Sequence, residues 1–589
     1  MYNKINIPKN IKEALTLLNS NNHEGYIVGG CVRDFLLNKE PNDWDITSSA
    51  SPDEVLKVFE KYKTIETGLQ HGTVTVLINR EPIEITTYRV DGDYSDGRRP
   101  DSVNFTKSLK EDLNRRDFTI NAIAYNPKDG FVDKFNGIED LNSGIIRCVG
   151  NADERFKEDS LRILRGIRFA SKYGFEVEPE TKEAMFNNKN LLKNVSQERI
   201  TEEFIKTLKG KDCVKVLKEY EDIISEIIPE VKDMINLDQK NPHHLYTVWD
   251  HTLKSIENVP NDDIEMKLAM FFHDIGKPNT FTIDDKGIGH FKGHTDVSKK
   301  ITDDLFKRMK LTNAEGIDRG MLNNVQYLVK NHDLNVPKNE RDMNKTIIKH
   351  FNGNPELFRK ILDVKQYDIS AQSNFLYEEK MSAIKKAIEI YDTINEKGFC
   401  TKINDLKIDG NDLIKIGFKT GKDLGNTLNN LLLDAASGNI SNERSVLLKS
   451  SIKRLDKLSK ITADDFLNMT KKDDVEIFEG YINAFPKLEI DYYKVSEIAY
   501  KKEMTKVGDF LINNENPINP AYVIYGISKG DLENKSNLIE TVINVSKEHN
   551  IILDKRVIER TINELGDEGL KLENILNKCL KINDKDIEL

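Results

Sequence analysis

The alternation of apolar and polar positions between residues 25 and 47 predicts a strand, a glycine turn, a helix and a second strand. An apolar run at 26–28 leads into Gly29 and Gly30, and apolar residues then follow a helical spacing up to residue 37. Because side chains alternate along a strand, Asp43 and Asp45 are expected on one face and Trp44 on the other. The pattern therefore predicts two carboxylates one pleat apart.

Two such carboxylates suit a divalent cation that prefers oxygen ligands. Mg²⁺ typically takes one or two protein carboxylates and completes its coordination with water and substrate phosphates. The glycine pair upstream lets the backbone approach phosphates closely, and the start of the following helix favours negative charge. These features indicate nucleotidyl transfer, although short motifs of this kind also occur in hairpins whose Asp side chains are merely solvated.

The segment GGCVRD followed by DWDIT resembles the first motifs of the class II bacterial tRNA nucleotidyltransferase and poly(A) polymerase family. The resemblance implies an α+β protein, in which a small polymerase-beta-like mixed-sheet head precedes a largely α-helical, multi-domain body. It also implies that Gly29, Gly30 and Arg33 bind the nucleotide, and that Asp43 and Asp45 are catalytic and hold Mg²⁺.

Two strands are predicted next, at 68–78 and from residue 83 to 88, with a turn at 79–82 between them. Glu84 falls on the second strand, which can pair beside the strand of Asp45. Spacing alone allows Glu84 to be a surface residue of an edge strand. The resemblance to the family's EhTT(Y/F)R strand implies instead that Glu84 is the third catalytic carboxylate.

Residues 91–104 are rich in turn formers, which predicts a mobile loop. Residues 109–126 are predicted to be a helix in which Arg115, Arg116 and Asp117 precede an apolar stretch. Those charges alone are compatible with a solvated helix face. Their resemblance to the family's RRDFTxNA motif implies that Arg116, Asp117 and Asn121 bind the sugar and phosphates of the nucleotide.

The segment from residue 151 to 175 is predicted to be one helix, on which Asp159, Arg162, Arg165 and Arg168 share a face at spacings of three. An arginine-rich surface helix would show the same spacing. The resemblance to the family's EDxxR motif implies that Asp159 and Arg162 bind the edge of the incoming base, while Arg165 and Arg168 grip the triphosphate and ribose. A carboxylate and a guanidinium can match C or A and reject G or U.

Eight of the eleven histidines lie between residues 243 and 350. Their order resembles the HD superfamily of metal phosphohydrolases, which implies a metal site formed by His251, His273, Asp274 and Asp368, with His294 and His332 in the same series. Imidazole and carboxylate ligands suit a transition metal such as Mn²⁺ or Ni²⁺. The alternative is an HD fold without activity.

Composition limits these hypotheses further. The chain has 589 residues, of which 38% are hydrophobic and 31% charged, so we expect three to five domains in a soluble, cytoplasmic protein. Five dispersed cysteines favour neither a disulfide framework nor a zinc cluster. The net charge of −11 is concentrated in residues 462–589, which hold 17 basic and 25 acidic residues. The negative charge therefore does not exclude RNA binding by the rest of the chain.

These patterns predict a catalytic head (1–150), a nucleotide-selecting and RNA-binding neck (151–235), an HD domain (236–375), a helical tRNA-binding body (376–460) and an acidic C-terminal extension (461–589) whose role the sequence does not indicate. The resemblance implies addition of C, C and A to the 3′ end of tRNA from CTP and ATP, with phosphohydrolase activity of the HD domain left open. The alternatives are a partial A-adding or CC-adding enzyme, a poly(A) polymerase, or a non-catalytic RNA-binding module whose extension recruits a protein partner.

Overall fold

The computed structural model describes residues 5–41, 43–92, 103–241, 245–373, 376–454, 467–468, 470, 473–484, 492–513, 520–529, 535–548, 553 and 555–565. These residues form two compact units, one comprising residues 1–336 with 359–385 and the other residues 337–358 with 386–589. Most of the predicted loop at 91–104 lies outside the described residues, and so do residues 462–465, whose sequence (Thr462 followed by Asp464 and Asp465) is typical of a helix start.

The head of the first unit is built on a mixed sheet, as predicted. The strands up to residue 133 are β1 (Gly25–Val28), β2 (Asp45–Ser48), β3 (Lys63–Ile65), β4 (Thr73–Ile78), β5 (Glu81–Thr87), β6 (Arg89–Asp91), β7 (Val103–Phe105), β8 (Ile123–Asn126) and β9 (Gly130–Asp133). Seven of them form one sheet in the order β3-β4-β5-β2-β1-β8-β9, while β6 and β7 pair with each other. Strand β2 runs antiparallel to β1 and parallel to β5. Asp45 at the start of β2 therefore lies beside Glu84, the central residue of β5, in the middle of the sheet.

The turn between β4 and β5 is shorter than predicted. Asn79 and Arg80 both have positive φ, 55° and 70°, which is typical of a two-residue hairpin turn. Pro82 consequently belongs to β5 and not to the turn. Along β5, Ile83 and Ile85 are buried while Glu84 between them is exposed, so the alternation of the strand presents Glu84 on the open face.

Helices cover the sheet and continue into the rest of the first unit. They are α1 (Lys9–Ser20), α2 (Gly30–Leu36), α3 (Pro52–Val58), α4 (Leu109–Asn114), α5 (Gly137–Ser143), α6 (Ala152–Glu158), α7 (Leu161–Tyr173), α8 (Pro179–Asn188), α9 (Gln197–Leu208), α10 (Cys213–Glu219), α11 (Glu221–Ile227), α12 (Lys232–Ile235), α13 (Val248–Ile256), α14 (Ile264–Phe272), α15 (His294–Arg308) and α16 (Arg319–Asn331). Strands β10 (Ile145–Ile146) and β11 (Glu176–Val177) pair in parallel, and β12 (Thr282–Ile283) and β13 (Gly289–His290) pair antiparallel. Short 3-10 helices lie at Leu69–His71, Thr119–Asn121, Lys189–Asn194, Pro229–Val231, Pro278–Thr280 and Leu311–Asn313.

Two predicted helices are wrong in extent. The helix expected at 109–126 ends at Asn114, because the apolar residues of β8 are buried on both faces as a central strand. The helix expected at 151–175 is two helices, α6 and α7, and between them Asp159 has an extended backbone (φ −139°, ψ 99°). Asp159 therefore does not share a helix face with Arg162.

The remaining elements begin at residue 340, and one boundary between the two units falls within a helix, after residue 358. The elements are α17 (Glu340–Phe351), α18 (Pro355–Ser370), α19 (Tyr377–Lys397), a 3-10 turn (Ile403–Asp405), α20 (Gly410–Lys415), α21 (Lys422–Ala436), α22 (Arg444–Ile452) and then helices at Val475–Ala484, Tyr492–Lys501, Thr505–Asn513, Pro520–Lys529, Lys535–Glu548 and Lys555–Leu565. In the second unit one hydrophobic core runs from Leu406 to Ile558. The helices after residue 473 thus share a core with α20 to α22. Among the described residues, no helix is long and apolar enough to cross a membrane.

Candidate active site and candidate metal centre

The three predicted catalytic carboxylates lie together at the edge of β2. Asp45 begins β2 and is the Cα partner of Glu84 in the parallel pairing of β2 with β5. Asp43 lies two residues before the strand and not within it, so its position follows from the approach to β2 and not from strand alternation. None of the three carboxylates accepts a hydrogen bond from a described residue, and all three are exposed. Such unpaired oxygens are what a hard divalent cation requires.

The pKa of Asp45 reflects the surrounding protein atoms and the closeness of the other two carboxylates. Although Asp45 touches solvent, desolvation by the protein atoms around its carboxylate raises its pKa, and the negative charges of Glu84 and Asp43 raise it further. The guanidinium of Arg116 acts in the opposite direction. A bound cation would relieve the repulsion among the three carboxylates and keep Asp45 ionised.

Gly29 brings Arg116 close to the start of α2. Gly29 has a φ of +76°, and a Cβ at this position would lie 3.0 Å from a terminal nitrogen of Arg116. A side chain here would therefore meet both backbone strain and the guanidinium. The glycine predicted from sequence is needed for the local backbone and for the approach of Arg116.

A buried network joins the RRDFTxNA segment to α2 and α7. Arg165 Nε donates to Asp117 at 2.7 Å, the Asn121 amide donates to the same carboxylate at 2.9 Å, and Arg33 donates to Asn121 at 2.5 Å. Burial alone would raise the pKa of Asp117, but Arg165 and the hydrogen bonds hold it well below its usual range. Arg33 also lies over the ring of Phe169, with 5.1 Å between the guanidinium carbon and the ring centroid.

These groups line a cavity of about 560 Å³. Eight of the predicted residues contribute to its lining: Gly29, Gly30, Arg33, Asp45, Arg116, Asp117, Asn121 and Arg165; Arg168 is a ninth. The lining is rich in guanidinium groups and backbone of small residues, as expected for a site that binds phosphates.

The predicted base-reading pair is outside the lining of this cavity. Asp159 accepts hydrogen bonds from both terminal nitrogens of Arg199, at 3.3 and 2.8 Å. Arg162 is buried and donates to Glu158 at 2.6 Å and to the Arg115 carbonyl at 3.0 Å. In this structure the two side chains are held by other partners and not by each other.

Sequence reasoning missed the contribution of α9 to the cavity. Lys206, Lys209 and Gly210 line it beside Phe169 and Lys172. Glu203, also on α9, lies 3.1 Å from Arg168, another residue of the cavity lining. The signal was available as the spacing of three between Glu203, Lys206 and Lys209, which indicates one helix face.

A second cluster lies among α13 to α16 and α18, where four histidines and two aspartates meet. Two overlapping triads can each hold a metal ion: His251, His273 and Asp274, and Asp274, His294 and His332. Asp368 adds a carboxylate 2.9 Å from His251 Nε2. All four of the predicted ligands therefore come together, and His294 and His332 join them.

The imidazoles of this cluster are set for metal binding. The Nδ1 atoms of His251, His273, His294 and His332 all lie 2.6 to 3.1 Å from backbone carbonyls, to which they donate. The Nε2 atoms consequently present lone pairs, and those of His294 and His332 face each other at 3.1 Å. Two lone pairs at that distance need a cation or a proton between them.

Asp274 lies between the two triads and is fully buried. Neither of its oxygens makes a hydrogen bond of good geometry, although Lys277 Nζ approaches to 2.7 Å. Burial would raise the pKa of Asp274, but the imidazole of His273 and the ammonium of Lys277 hold it well below its usual range. The donor set fits one divalent cation on each side of Asp274.

Comparison with known proteins accounts for this arrangement. Residues 25–147 match the model of the poly A polymerase head domain, and residues 174–234 match the "probable RNA and SrmB- binding site of polymerase A". The head is therefore similar to the poly A polymerase head domain over residues 25–147. Residues 243–385 match the HD domain, and residues 333–450 match "tRNA nucleotidyltransferase domain 2 putative". The predicted resemblance to class II nucleotidyltransferases with an HD domain is confirmed.

Individual relatives agree with the head-domain assignment. A CCA-adding enzyme of Lactobacillus delbrueckii subsp. bulgaricus is 50% identical over 197 residues, which are 33% of this chain and 49% of that protein. One of Oceanobacillus iheyensis is 50% identical over 204 residues, 35% of this chain and 50% of that protein. The chain thus spans about half the length of these relatives. The crystal structure of the Bacillus stearothermophilus CCA-adding enzyme in complex with CTP aligns with a TM-score of 0.54 and 25% identity, over 76% of this chain and 97% of that one.

Proposed function

We propose that this protein adds C, C and A to the 3′ end of tRNA, without a nucleic-acid template, from CTP and ATP. The observation that carries the proposal is the Cα pairing of Asp45 with Glu84 beside Asp43, at the edge of a cavity lined by Arg33, Arg116, Arg165 and Arg168. The relatives named CCA-adding enzymes support this choice of substrates.

Two Mg²⁺ ions fit the head, because Asp43, Asp45 and Glu84 offer unpaired carboxylate oxygens at one place. When bound, these ions activate the RNA 3′-hydroxyl and stabilise the leaving pyrophosphate. The chain itself positions the triphosphate: the backbone of Gly29 and Gly30 leaves room for phosphates, and the cavity arginines neutralise them.

Nucleotide choice is assigned to Asp159 and Arg162 in this proposal. Asp159 lies just before α7 and Arg162 lies in its first turn, and the same helix carries Arg165 into the cavity. Since neither lines the cavity of the nucleotide-free chain, base recognition requires Asp159 to exchange part of its bond with Arg199 for the base edge. The carboxylate is an acceptor for the exocyclic amine that C and A share.

The direct test is incubation with a tRNA that lacks its 3′-terminal CCA, supplied with CTP alone, ATP alone or both, followed by sequencing of the products. The proposal expects CC from CTP and CCA from both nucleotides. Addition of A alone or of CC alone identifies a partial enzyme, long A tails identify a poly(A) polymerase, and RNA binding without addition identifies a binding module.

We propose a second activity, metal-dependent phosphoester hydrolysis, at the HD centre. The specific support is the convergence of four imidazole Nε2 atoms on the buried carboxylate of Asp274, each 3.2 to 3.6 Å from one of its oxygens. Mn²⁺ or Ni²⁺ would suit this mixed imidazole and carboxylate set, and an ion held by these residues would supply Lewis-acid activation for the hydrolysis of a phosphoester. The test is hydrolysis of a phosphomonoester and of a 2′,3′-cyclic phosphodiester with each metal in turn.

A further inference from the structure

Three lysines of the head cavity have no role in the proposed function so far. Lys172 lies near the end of α7, and Lys206 and Lys209 lie in and just after the last turn of α9. Lys172 and Lys209 are exposed, and neither has a carboxylate within ion-pair distance among the described residues. Lys206 pairs with Glu202 at 2.5 Å.

The fold fixes these lysines at one end of the cavity. The Ser171 hydroxyl donates to the Thr207 carbonyl at 2.7 Å, and a Cβ on Gly210 would lie 2.0 Å from that hydroxyl oxygen. The C-terminal ends of α7 and α9 are therefore in contact. Lys172 and Lys209, the residues next to this contact, consequently lie at the same end of the cavity. Only a glycine at 210 permits this approach.

That end lies away from the catalytic carboxylates. Arg116 is next to Asp45, Asp117 follows Arg116 in the chain, and Asp117 is bonded to Arg165 at the middle of α7. Lys172 lies seven residues further along the same helix, on the same face, about 10 Å along the axis at 1.5 Å per residue. The cavity thus presents guanidinium groups first and ammonium groups beyond them.

The positive charge at this end is balanced by the protein only in part, since Lys206 pairs with Glu202 whereas Lys172 and Lys209 pair with no described carboxylate. Partial burial lowers the pKa of Lys172, and although Asp34 opposes the shift, repulsion from Arg33, Lys39 and Arg168 adds to it. The Lys39 and Lys172 ammonium groups lie over the same ring, that of Tyr173, at 4.8 and 5.1 Å from its centroid. An anion at this end would relieve that repulsion.

The anion must fit the reaction that the cavity carries out. In nucleotidyl transfer the RNA 3′-oxygen bonds to the α-phosphorus as its proton leaves, and the bond from that phosphorus to the bridging oxygen breaks with its electron pair on pyrophosphate. The α-phosphorus must lie at Asp45, so the β- and γ-phosphates extend toward Arg33 and Arg168. Beyond those arginines, the next positively charged groups on the path of the departing pyrophosphate are the lysine ammonium groups. Flexible, strongly hydrated ammonium groups suit an anion that is held briefly.

Resting on the proposed function, we infer that Lys172, Lys206 and Lys209 form a pyrophosphate subsite that takes the leaving group as it moves out of the catalytic position. The test variant is K172A/K209A, because both side chains are exposed and their loss spares the buried network. Its charge-retaining partner is K172R/K209R. The matched control is K57A/K61A, two exposed lysines of the head that do not line the cavity.

Two measurements test the subsite. Product inhibition by pyrophosphate during CTP addition gives the ratio of Ki for pyrophosphate to KM for CTP, and calorimetric titration with magnesium pyrophosphate gives Kd without any turnover. In K172A/K209A both the ratio and Kd should rise about tenfold, the size expected for two lost charge contacts. In K172R/K209R the ratio and Kd should stay near their wild-type values. In the control K57A/K61A both should equal the wild-type values.

Each other outcome overturns the inference. If KM for CTP and Ki for pyrophosphate rise by the same factor, the lysines grip the triphosphate before reaction. If KM for RNA rises while Ki is unchanged, they hold the RNA backbone, and if nothing changes they have no ligand. Failure of the proposed function is distinct, because a wild-type protein that adds no nucleotide but binds pyrophosphate through these lysines would retain the subsite.

Discussion

Both carboxylate oxygens of Asp159 accept hydrogen bonds from one guanidinium, that of Arg199 on α9, at 3.3 and 2.8 Å. Asp159 lies in the extended break between α6 and α7, so the ion pair joins the break to the neighbouring helix. The side chain proposed to select the nucleotide is therefore positioned by Arg199, a residue of α9 and not of α7 itself.

We predict that Asp159→Ala impairs nucleotide discrimination more than catalysis. The substitution leaves the metal-binding carboxylates intact but removes the acceptor for the amine that C and A share, a loss of about 1–3 kcal/mol or roughly ten- to a hundredfold in selectivity. The measurement is kcat/KM for all four nucleoside triphosphates on a tRNA that ends one step short. Equal losses for all four, with the preference for C and A unchanged, would remove Asp159 from base recognition.

Arg199→Ala should shift discrimination in the same direction by a smaller factor, because Asp159 keeps its charge but loses its fixed position. The matched control is Arg308→Ala, which breaks an exposed bidentate pair with Glu230 (2.9 and 2.8 Å) elsewhere in the same unit. The control should leave the four kcat/KM values in their wild-type ratio.

The elements that the sequence predicted correctly are those that depend on the pattern of neighbouring residues. The strand, glycine turn and helix around Gly29 follow from local periodicity, and the pairing of Asp45 with Glu84 follows from the family resemblance plus strand alternation. The helix break at Asp159 was missed, because apolar spacing continues across it and the deviation is confined to one residue's backbone angles. Lys209 was missed because its place in the cavity depends on the contact between Ser171 and Gly210, which are far apart in sequence.

We predict that Asp45→Asn lowers kcat for nucleotide addition about a thousandfold or more, because a divalent ion contributes several kcal/mol to the transition state and loses a ligand. The fold should be intact, since Asp45 is exposed and bonds no described side chain. Single-turnover addition at saturating Mg²⁺ and an unchanged circular dichroism spectrum are the measurements. Glu60→Gln, an exposed carboxylate of the head outside the cavity, is the control; near-normal addition by the Asp45 variant would refute the active site.

The HD centre should be separable from nucleotide addition. In His273→Ala/Asp274→Ala we expect loss of bound metal by elemental analysis and at least a hundredfold loss of Mn²⁺- or Ni²⁺-stimulated phosphoester hydrolysis, because both triads lose ligands. CCA addition should continue. His332→Gln, which removes a ligand from one triad only, guards against misfolding of the double variant and should halve the metal content. A wild-type protein without hydrolysis under any of these metals would make the centre structural.

The last prediction concerns the ion pair between buried Asp117 and partly exposed Arg165. The folded-state pKa of Asp117 lies below its ordinary value, so the stabilisation it gives is complete above the unfolded-state pKa, about 3.9, and is lost as pH falls toward the folded value. Asp117→Asn leaves Arg165 with no ionised partner at this contact, and should lower the stability of the head by about 1–2 kcal/mol at neutral pH, because solvent screens the partly exposed guanidinium. Urea unfolding can be followed by Trp44 fluorescence in a Trp249→Phe background. The difference in unfolding free energy between the parent protein and the Asp117→Asn variant should be constant between pH 5 and 7 and should narrow below about pH 4. If the difference in unfolding free energy instead shrank between pH 5 and 7, a group other than Asp117 would be responsible for the dependence of stability on pH.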